Sequence, residues 1–261
     1  MFGKILERFK NRVVVRDRAG NRIVVDRRDN SVGAALRAFG EWEPHLATTM
    51  ARFLPNGGVA VEVGSNVGAH VVNFSRSVGP SGKVFAIEAN PEVAKLLKAT
   101  LRSNRLLNVT VVENAILDKP GDVELWATEK NLGGGAVALP GWESDPQLAS
   151  WKRHRVSATT LDLLFADLPK IDLLHIDAEG CELAVLAGAA ALLSRSPEVA
   201  IVAEWGAYHG PSYFDIDKGL NILTEMGFKF WCIEREATLR PLSIEQLLKR
   251  DFCDILIRRA G

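Results

Sequence analysis

Hydrophobic positions along the chain alternate between short apolar runs and stretches with helical spacing. Val59–Val63 is an apolar run that ends at Gly64, and apolar residues recur at helical spacing from Val67 to Phe74. This pattern predicts a buried strand, a tight glycine turn and a helix. A ligand can approach the main chain where Gly64 and Gly68 lack a Cβ, and the helix dipole favours an anion there. The alternative is a turn that serves only strand–helix packing.

The same periodicities predict further strands and helices that alternate along the chain. Predicted strands are 13–15, 23–25, 59–63, 83–87, 109–112, 171–176, 199–203, 228–233 and 252–257. Besides the helix after the glycine turn, predicted helices are 2–10, 31–39, 44–53, 91–104, 179–193, 215–226 and 243–249. Alternation of this kind predicts an α/β fold, a mostly parallel sheet with helices on both faces and ligands at the carboxyl ends of the strands. Residues 1–40 form a predicted helix and hairpin appendage, and residues 41–261 form the main domain.

The segment 127–155 departs from this alternation. It is too long for an ordinary connection between a strand and a helix, and it is rich in glycine. Two interpretations stay open: a lid or binding loop, and an excursion with a β-arm that covers the sheet edge. Aromatic residues in and near such loops either stack on a sugar ring or belong to the core. These residues are Trp126, Trp142, Trp151, Trp205 and Tyr208.

The composition of the chain disfavours some classes of binding partner. The chain has 261 residues, of which 47% are hydrophobic, and its 32 Lys and Arg balance its 32 Asp and Glu. This balance disfavours a nucleic-acid partner, and the longest apolar run, Ala184–Leu193, is too short for stable membrane insertion. Three cysteines without a Cys-x-x-Cys pair indicate reduced thiols. A cytoplasmic protein is therefore expected.

Polar side chains follow the predicted strands at the edge where a ligand is expected. Glu88 ends the strand after the glycine turn, about 20 residues beyond Gly68, where a carboxylate accepts hydrogen bonds from ribose hydroxyls. The alternative for Glu88 is a charge at the start of the helix that follows. Asn114 either flanks an adenine ring or is a turn residue.

Candidate catalytic groups follow the next two strands. Asp177 lies at the carboxyl end of its strand, and Glu179 and Glu182 open the predicted helix, where they also favour the helix dipole. Glu204 ends the following strand, and His209 is a candidate general base or a loop histidine.

A divalent ion held by Asp177, Glu179 and Glu204 is a weaker alternative, and because no residue set is diagnostic, no metal site is predicted.

Four motifs resemble the FkbM-type methyltransferase family from about residue 40 to the C-terminus. They are Val-Glu-Val-Gly-Ser-Asn-Val-Gly at 61–68, Phe-Ala-Ile-Glu-Ala-Asn-Pro at 85–91, Thr-Leu-Asp at 160–162 and Ile-Asp-Ala-Glu-Gly-Cys-Glu-Leu-x-Val-Leu-x-Gly-Ala at 176–189. The resemblance implies the class I (Rossmann-like) fold with seven strands and S-adenosylmethionine as cofactor. It implies methyl transfer to a hydroxyl of a sugar, glycolipid or secondary metabolite.

The resemblance also implies roles for individual residues. Glu88 would bind the ribose, and Asp177 would lie at the methyl-transfer centre and contact the cofactor. Residues of the glycine turn would line the methionine part of the cofactor: Glu62, Gly64, Ser65, Asn66 and Gly68. The sequence departs from the family at Glu62, where aspartate is usual, and at Ser65, which replaces alanine and adds bulk to the cradle.

Other functions remain open. A nicotinamide-dependent oxidoreductase shares the fold, but G-x-G-x-x-G is missing. A nucleic-acid methyltransferase needs a basic face. A binding or structural protein would keep the fold without turnover. The expected partner is a small-molecule or glycan hydroxyl acceptor, and the N-terminal helix and hairpin are available for homodimerisation or for covering the cofactor site.

Overall fold

Fourteen strands and nine α-helices lie within residues 11–128, 130–206 and 213–259, which the computed structural model describes. The strands are β1 (Arg12–Arg16), β2 (Arg22–Asp26), β3 (Val59–Val63), β4 (Lys83–Ile87), β5 (Val109–Val112), β6 (Ala115–Ile116), β7 (Gly121–Thr128), β8 (Asn131–Val137), β9 (Lys152–Thr159), β10 (Leu173–Ile176), β11 (Ala200–Gly206), β12 (Phe228–Ile233), β13 (Leu239–Leu242) and β14 (Phe252–Arg259). The helices are α1 (Val32–Phe39), α2 (Pro44–Ala51), α3 (Ala69–Val78), α4 (Pro91–Asn104), α5 (Leu161–Leu164), α6 (Glu182–Ala187), α7 (Ala190–Ser194), α8 (Ile216–Glu225) and α9 (Ile244–Leu248).

The central sheet has the order β13-β12-β14-β11-β10-β3-β4-β5. Its strands from β11 to β5 are parallel, and in chain order they follow the Rossmann arrangement 3-2-1-4-5. The predicted mostly parallel α/β sheet is therefore confirmed. The predicted count of seven strands is wrong, because β13 adds an eighth strand beside β12. This strand is short, contains Pro241 and lies at the sheet edge, where proline is tolerated, so it carries little strand pattern.

The two faces of the sheet bury separate hydrophobic clusters, because side chains alternate along each strand. Val61 and Val63 of β3 face the cluster that contains α6, α7 and α8 side chains. Ala60 of the same strand faces α2, α3 and α4 side chains such as Met50 and Phe74. The prediction of helices on both faces is confirmed.

The predicted helix 179–193 is wrong, because the chain forms two short helices there. α6 begins only at Glu182, after a turn in which Glu179 and Gly180 have positive φ. A break at Gly188 separates α6 from α7. The chain at Leu117 passes so close to Gly188 that a Cβ there would collide with the Leu117 carbonyl oxygen.

The predicted N-terminal hairpin is confirmed, with β1 and β2 antiparallel. β2 packs against α4, and the Val24 N–H donates to Thr100 Oγ1 over 2.9 Å. The predicted helix 2–10 lies outside the described residues, and the division of the chain at residue 40 stays a prediction.

The long insertion contributes β8 and the adjoining ends of β7 and β9 to a second sheet with the order β6-β9-β7-β8. β7 pairs antiparallel with both β8 and β9, so a β-arm is present. None of the described helices is both long enough and apolar enough to cross a membrane.

Gly188→Ala is expected to lower the free energy of unfolding by about 2–3 kcal/mol, because the added Cβ meets a backbone oxygen that cannot move aside. Gly121→Ala is the control, since a Cβ there has no neighbour within 4 Å. Urea unfolding measures both. Equal stabilities of the two variants would contradict the prediction.

Candidate active site

The glycine turn brings the ends of three parallel strands together. The N–H groups of Gly64 and Ser65 donate to the Ile87 carbonyl oxygen at the end of β4, over 3.0 and 2.9 Å. Gly64 has a φ of 82°, and a Cβ on it would collide with the carbonyl oxygen of Asp177, which follows β10. Glycine is therefore required at position 64 because the β3 and β10 ends touch.

Gly68 has a different role from Gly64. It precedes α3 with a φ of 86°, and a Cβ there would lie 2.7 Å from Leu97 Cδ1 of α4. The structure thus supports the packing interpretation for Gly68, which lies away from the cleft described next.

A cleft opens at the carboxyl edge of β3, β4, β5 and β10. It is lined by Val63, Gly64, Asn66, Ile87, Glu88, Ala89, Asn90, Asn114, Ala115, Ile116, Leu125, Leu132, Gly133, Gly135, Val137, Asp177, Ala178 and Cys181. Five predicted cofactor residues meet there: Gly64, Asn66, Glu88, Asn114 and Asp177. The lining residues of β7 and β8 were not individually predicted, although a binding loop was one of the two interpretations of residues 127–155; only tertiary packing brings this arm to the cleft.

Glu88 is buried in the cleft wall and accepts hydrogen bonds from the loop after β3 and the loop after β4. Its Oε2 accepts from the Asn66 N–H over 2.8 Å, and its Oε1 accepts from the Asn90 N–H over 2.7 Å. Burial raises the pKa of Glu88 to about 7, although both hydrogen bonds oppose this shift. The carboxyl group therefore titrates near neutral pH.

Glu62 and Ser65 lie beneath the turn and do not line the cleft. Glu62 Oε1 is 2.9 Å from Nδ1 of His175, its register partner on β10, and both side chains are buried. Glu62 Oε2 is buried without a hydrogen-bond partner. Ser65 Oγ donates to the Glu62 carbonyl oxygen over 3.1 Å.

Asp177 and Glu204 form a carboxyl pair beside the cleft. Ile176 and Ala203 are register partners, so the next residues on the two parallel strands are adjacent. Burial, followed by the nearby Glu204 charge, raises the pKa of Asp177 well above its usual range. Burial and the Glu182 charge raise the pKa of Glu204 to about 7, while a hydrogen bond from Asp177 opposes the shift. The pair therefore retains a proton near neutrality.

Glu43 joins this edge from the α1–α2 loop, although no site role is predicted for it from the sequence. Its φ of 41° is rare for a side-chain-bearing residue. Glu43 Oε2 is 3.2 Å from His70 Nε2, and the His70 ring meets the His175 ring edge-on with 5.2 Å between centroids. Burial opposes ionisation of Glu43, but the hydrogen bond to His70 and nearby histidine charges lower its pKa overall. Strained residues of this kind concentrate at functional sites.

The remaining candidates divide between core, surface and residues outside the described ranges. Trp126 and Trp205 are buried, and Trp205 Nε1 donates to the Leu247 carbonyl oxygen, so both belong to the core. Trp142 is half-buried and packs edge-on against Trp126 and Trp151. Glu179 is exposed. His209 and Tyr208 lie outside the described residues.

The alternative of a divalent ion at Asp177, Glu179 and Glu204 is not supported by the geometry. Among residues 11–128, 130–206 and 213–259, no group of three His, Cys, Asp or Glu side chains is arranged to hold a metal ion.

Comparison with known proteins finds a match between residues 62–230 and the family described as the Methyltransferase FkbM domain. The chain is 32% identical over 71 residues to the protein-L-isoaspartate O-methyltransferase of Methanothrix thermoacetophila, covering 26% of this chain and 34% of that one. The corresponding enzyme of Ignicoccus hospitalis is 37% identical over 71 residues, with the same coverage of 26% and 34%. The aligned segment thus spans about a third of the length of these curated relatives. A solved SAM-dependent O-methyltransferase of Thermotoga maritima is 15% identical with a TM-score of 0.46, covering 100% of this chain and 98% of that one.

Glu88→Gln is expected to change the pH dependence of stability. The folded pKa of about 7 lies above the usual 4.5, so the folded state keeps a proton that the unfolded chain releases, and the Glu88 contribution to stability falls as pH rises from 4.5 to 7. Between pH 4 and pH 8 the wild type should lose about 3 kcal/mol more than the variant.

Urea unfolding across this pH range measures the difference, with Glu143→Gln, at an exposed carboxylate, as control. Parallel pH profiles for wild type and Glu88→Gln would contradict the prediction.

Proposed function

The chain belongs to the FkbM methyltransferase family, and we propose that it transfers a methyl group from S-adenosylmethionine to a hydroxyl oxygen of a small-molecule or glycan acceptor. One observation carries the proposal: the cleft that gathers five predicted cofactor residues opens beside the Asp177–Glu204 carboxyl pair. The proposed cofactor site and the proposed proton acceptor therefore share one edge of the sheet. The name of the curated relatives, O-methyltransferase, supports oxygen as the accepting atom.

The residues of the cleft fit S-adenosylmethionine. Asn66 Oδ1 is buried without a partner on the cleft wall, so it is available to accept a hydrogen bond from a ligand. Glu88 would hold the ribose hydroxyls through the lone pairs that its two backbone hydrogen bonds leave free. Asn114 would bind the polar edge of the adenine, and the Gly64 backbone would contact the methionine part.

Bound S-adenosylmethionine supplies an electrophilic methyl carbon on a positively charged sulfur. A neutral alcohol is a weak nucleophile, so a base must accept its proton as the oxygen–carbon bond forms and the carbon–sulfur bond breaks. The Asp177–Glu204 pair would receive that proton on a carboxylate oxygen. Its raised pKa values match a general base to neutral pH, where proton transfer is most effective.

S-adenosylhomocysteine is expected to bind the wild-type protein with micromolar affinity, and Glu88→Ala should weaken binding by about 1–3 kcal/mol, the scale of losing hydrogen bonds to a charged group. Isothermal titration calorimetry measures both. Glu113→Ala is the control, because Glu113 is exposed and precedes the cleft residue Asn114 without lining the cleft. Absence of wild-type binding would contradict the proposed cofactor.

Asp177→Asn and Glu204→Gln are each expected to reduce methyl transfer to hydroxyl acceptors at least tenfold, because each removes a carboxylate from the pair that accepts the proton. The wild-type rate should rise as pH increases through about 7, since the pair must lose its proton before it can act as a base. The measurement is S-adenosylhomocysteine release with a panel of sugars and natural-product alcohols. Wild-type rates in both variants would exclude the pair as base.

A further inference from the structure

Strand β8 faces the loops of the central sheet across the cleft. Leu132, Gly133, Gly135 and Val137 of this strand line one side, and the loops that carry Asn66, Glu88, Asn90 and Asn114 line the other. Because Glu88, Asn90 and Asn114 follow β4 and β5, β8 covers the end of the cleft assigned above to ribose and adenine.

The glycines of β8 keep this end of the cleft open. A Cβ on Gly133 would lie 2.9 Å from Asn66 Nδ2, and a Cβ on Gly135 would lie 3.8 Å from Asn90 Nδ2 and 3.4 Å from Ala127 Cβ. Side chains larger than alanine at these positions would therefore extend between β8 and the sheet. Glycine costs strand stability, so two cleft-lining glycines in one strand need a reason beyond folding.

The pairing of β8 with β7 is interrupted at the same place. Trp126 pairs with Ala136 and Thr128 pairs with Asn131, so residues 132–135 lie opposite Ala127 alone. The register thus shifts between Trp126 and Thr128, and residues 132–135 have no register partner on β7. β8 is also the edge strand of its sheet. Gly133 and Gly135 therefore line the cleft at the point where the regular pairing of β8 with β7 is interrupted.

The N-terminal region holds β8 in this position. The Asn30 N–H donates to the Lys130 carbonyl oxygen over 2.9 Å. Asp29 is 1% exposed, and its carboxylate accepts from the Gly33 N–H over 2.6 Å and from the Leu132 N–H over 3.4 Å. Leu132 packs against the hydrophobic cluster that contains Val32 and Leu36 of α1.

We propose that β8 is a ligand-binding wall of the cleft and that its irregularly paired backbone at Gly133 and Gly135 contacts the adenosine part of S-adenosylmethionine. This inference rests on the proposed function. The glycines of β8 would give the flat purine ring a surface without side chains, and backbone groups of this segment would supply hydrogen bonds to its polar edge. The N-terminal hairpin and α1 thus support the cofactor site from outside it.

Calorimetric titration with S-adenosylhomocysteine of wild type, Gly135→Val and Gly121→Val tests the proposal. Valine favours strands and the first carbon fits at position 135, so Gly135→Val should fold and raise Kd at least tenfold by filling the cleft. Gly121→Val makes the same change at the start of β7, where a Cβ has no neighbour within 4 Å, and should keep Kd within twofold.

Hydrogen exchange of the wild type provides a second measurement that needs no variant. Bound S-adenosylhomocysteine should slow amide exchange at residues 132–137, while residues 121–124 keep their rates. Wild-type affinity in Gly135→Val, or unchanged exchange at 132–137 when the ligand is bound, would overturn this inference and leave the proposed function standing. Absence of wild-type binding would overturn both.

Discussion

The close approach of Gly64 to the Asp177 carbonyl oxygen is the contact on which the candidate site depends. β3 and β10 pair in parallel with Val63 beside Ile176, so both chains leave the sheet at the same point. A side chain at position 64 would collide there. The glycine turn and the candidate catalytic residue Asp177 are therefore one structural unit, formed by residues more than a hundred positions apart in the chain.

Burial controls how readily the carboxyl groups at this edge of the sheet hold a proton. Glu88, Asp177 and Glu204 all have raised pKa values, and burial is the largest cause for each. Neighbouring carboxylates add repulsion, whereas the histidines nearby are already engaged, His70 with Glu43 and His175 with Glu62. Such an arrangement lowers stability at neutral pH, and it is typical of sites where a proton must be held and released.

Two segments outside the central sheet complete the cleft. The insertion brings β8 over the end of the cleft that Glu88, Asn90 and Asn114 line, and the N-terminal region supports β8 through Asp29 and Asn30. Neither segment carries a candidate catalytic group. Their contribution is to form and support the wall of the cleft that faces the loops of the central sheet.

The sequence by itself determined the local elements, because helical and strand periodicities and the glycine turn depend on residues that are neighbours in the chain. It also placed Glu88, Asn114 and Asp177 at one edge, since parallel strands end on the same side of a sheet. Tertiary structure alone decided the break at Gly188, the edge strand β13, the Glu43–His70 pair and the position of β8 over the cleft. Each of these depends on contacts between distant segments, such as Gly188 with Leu117, and local periodicity carries no information about which distant segments will meet.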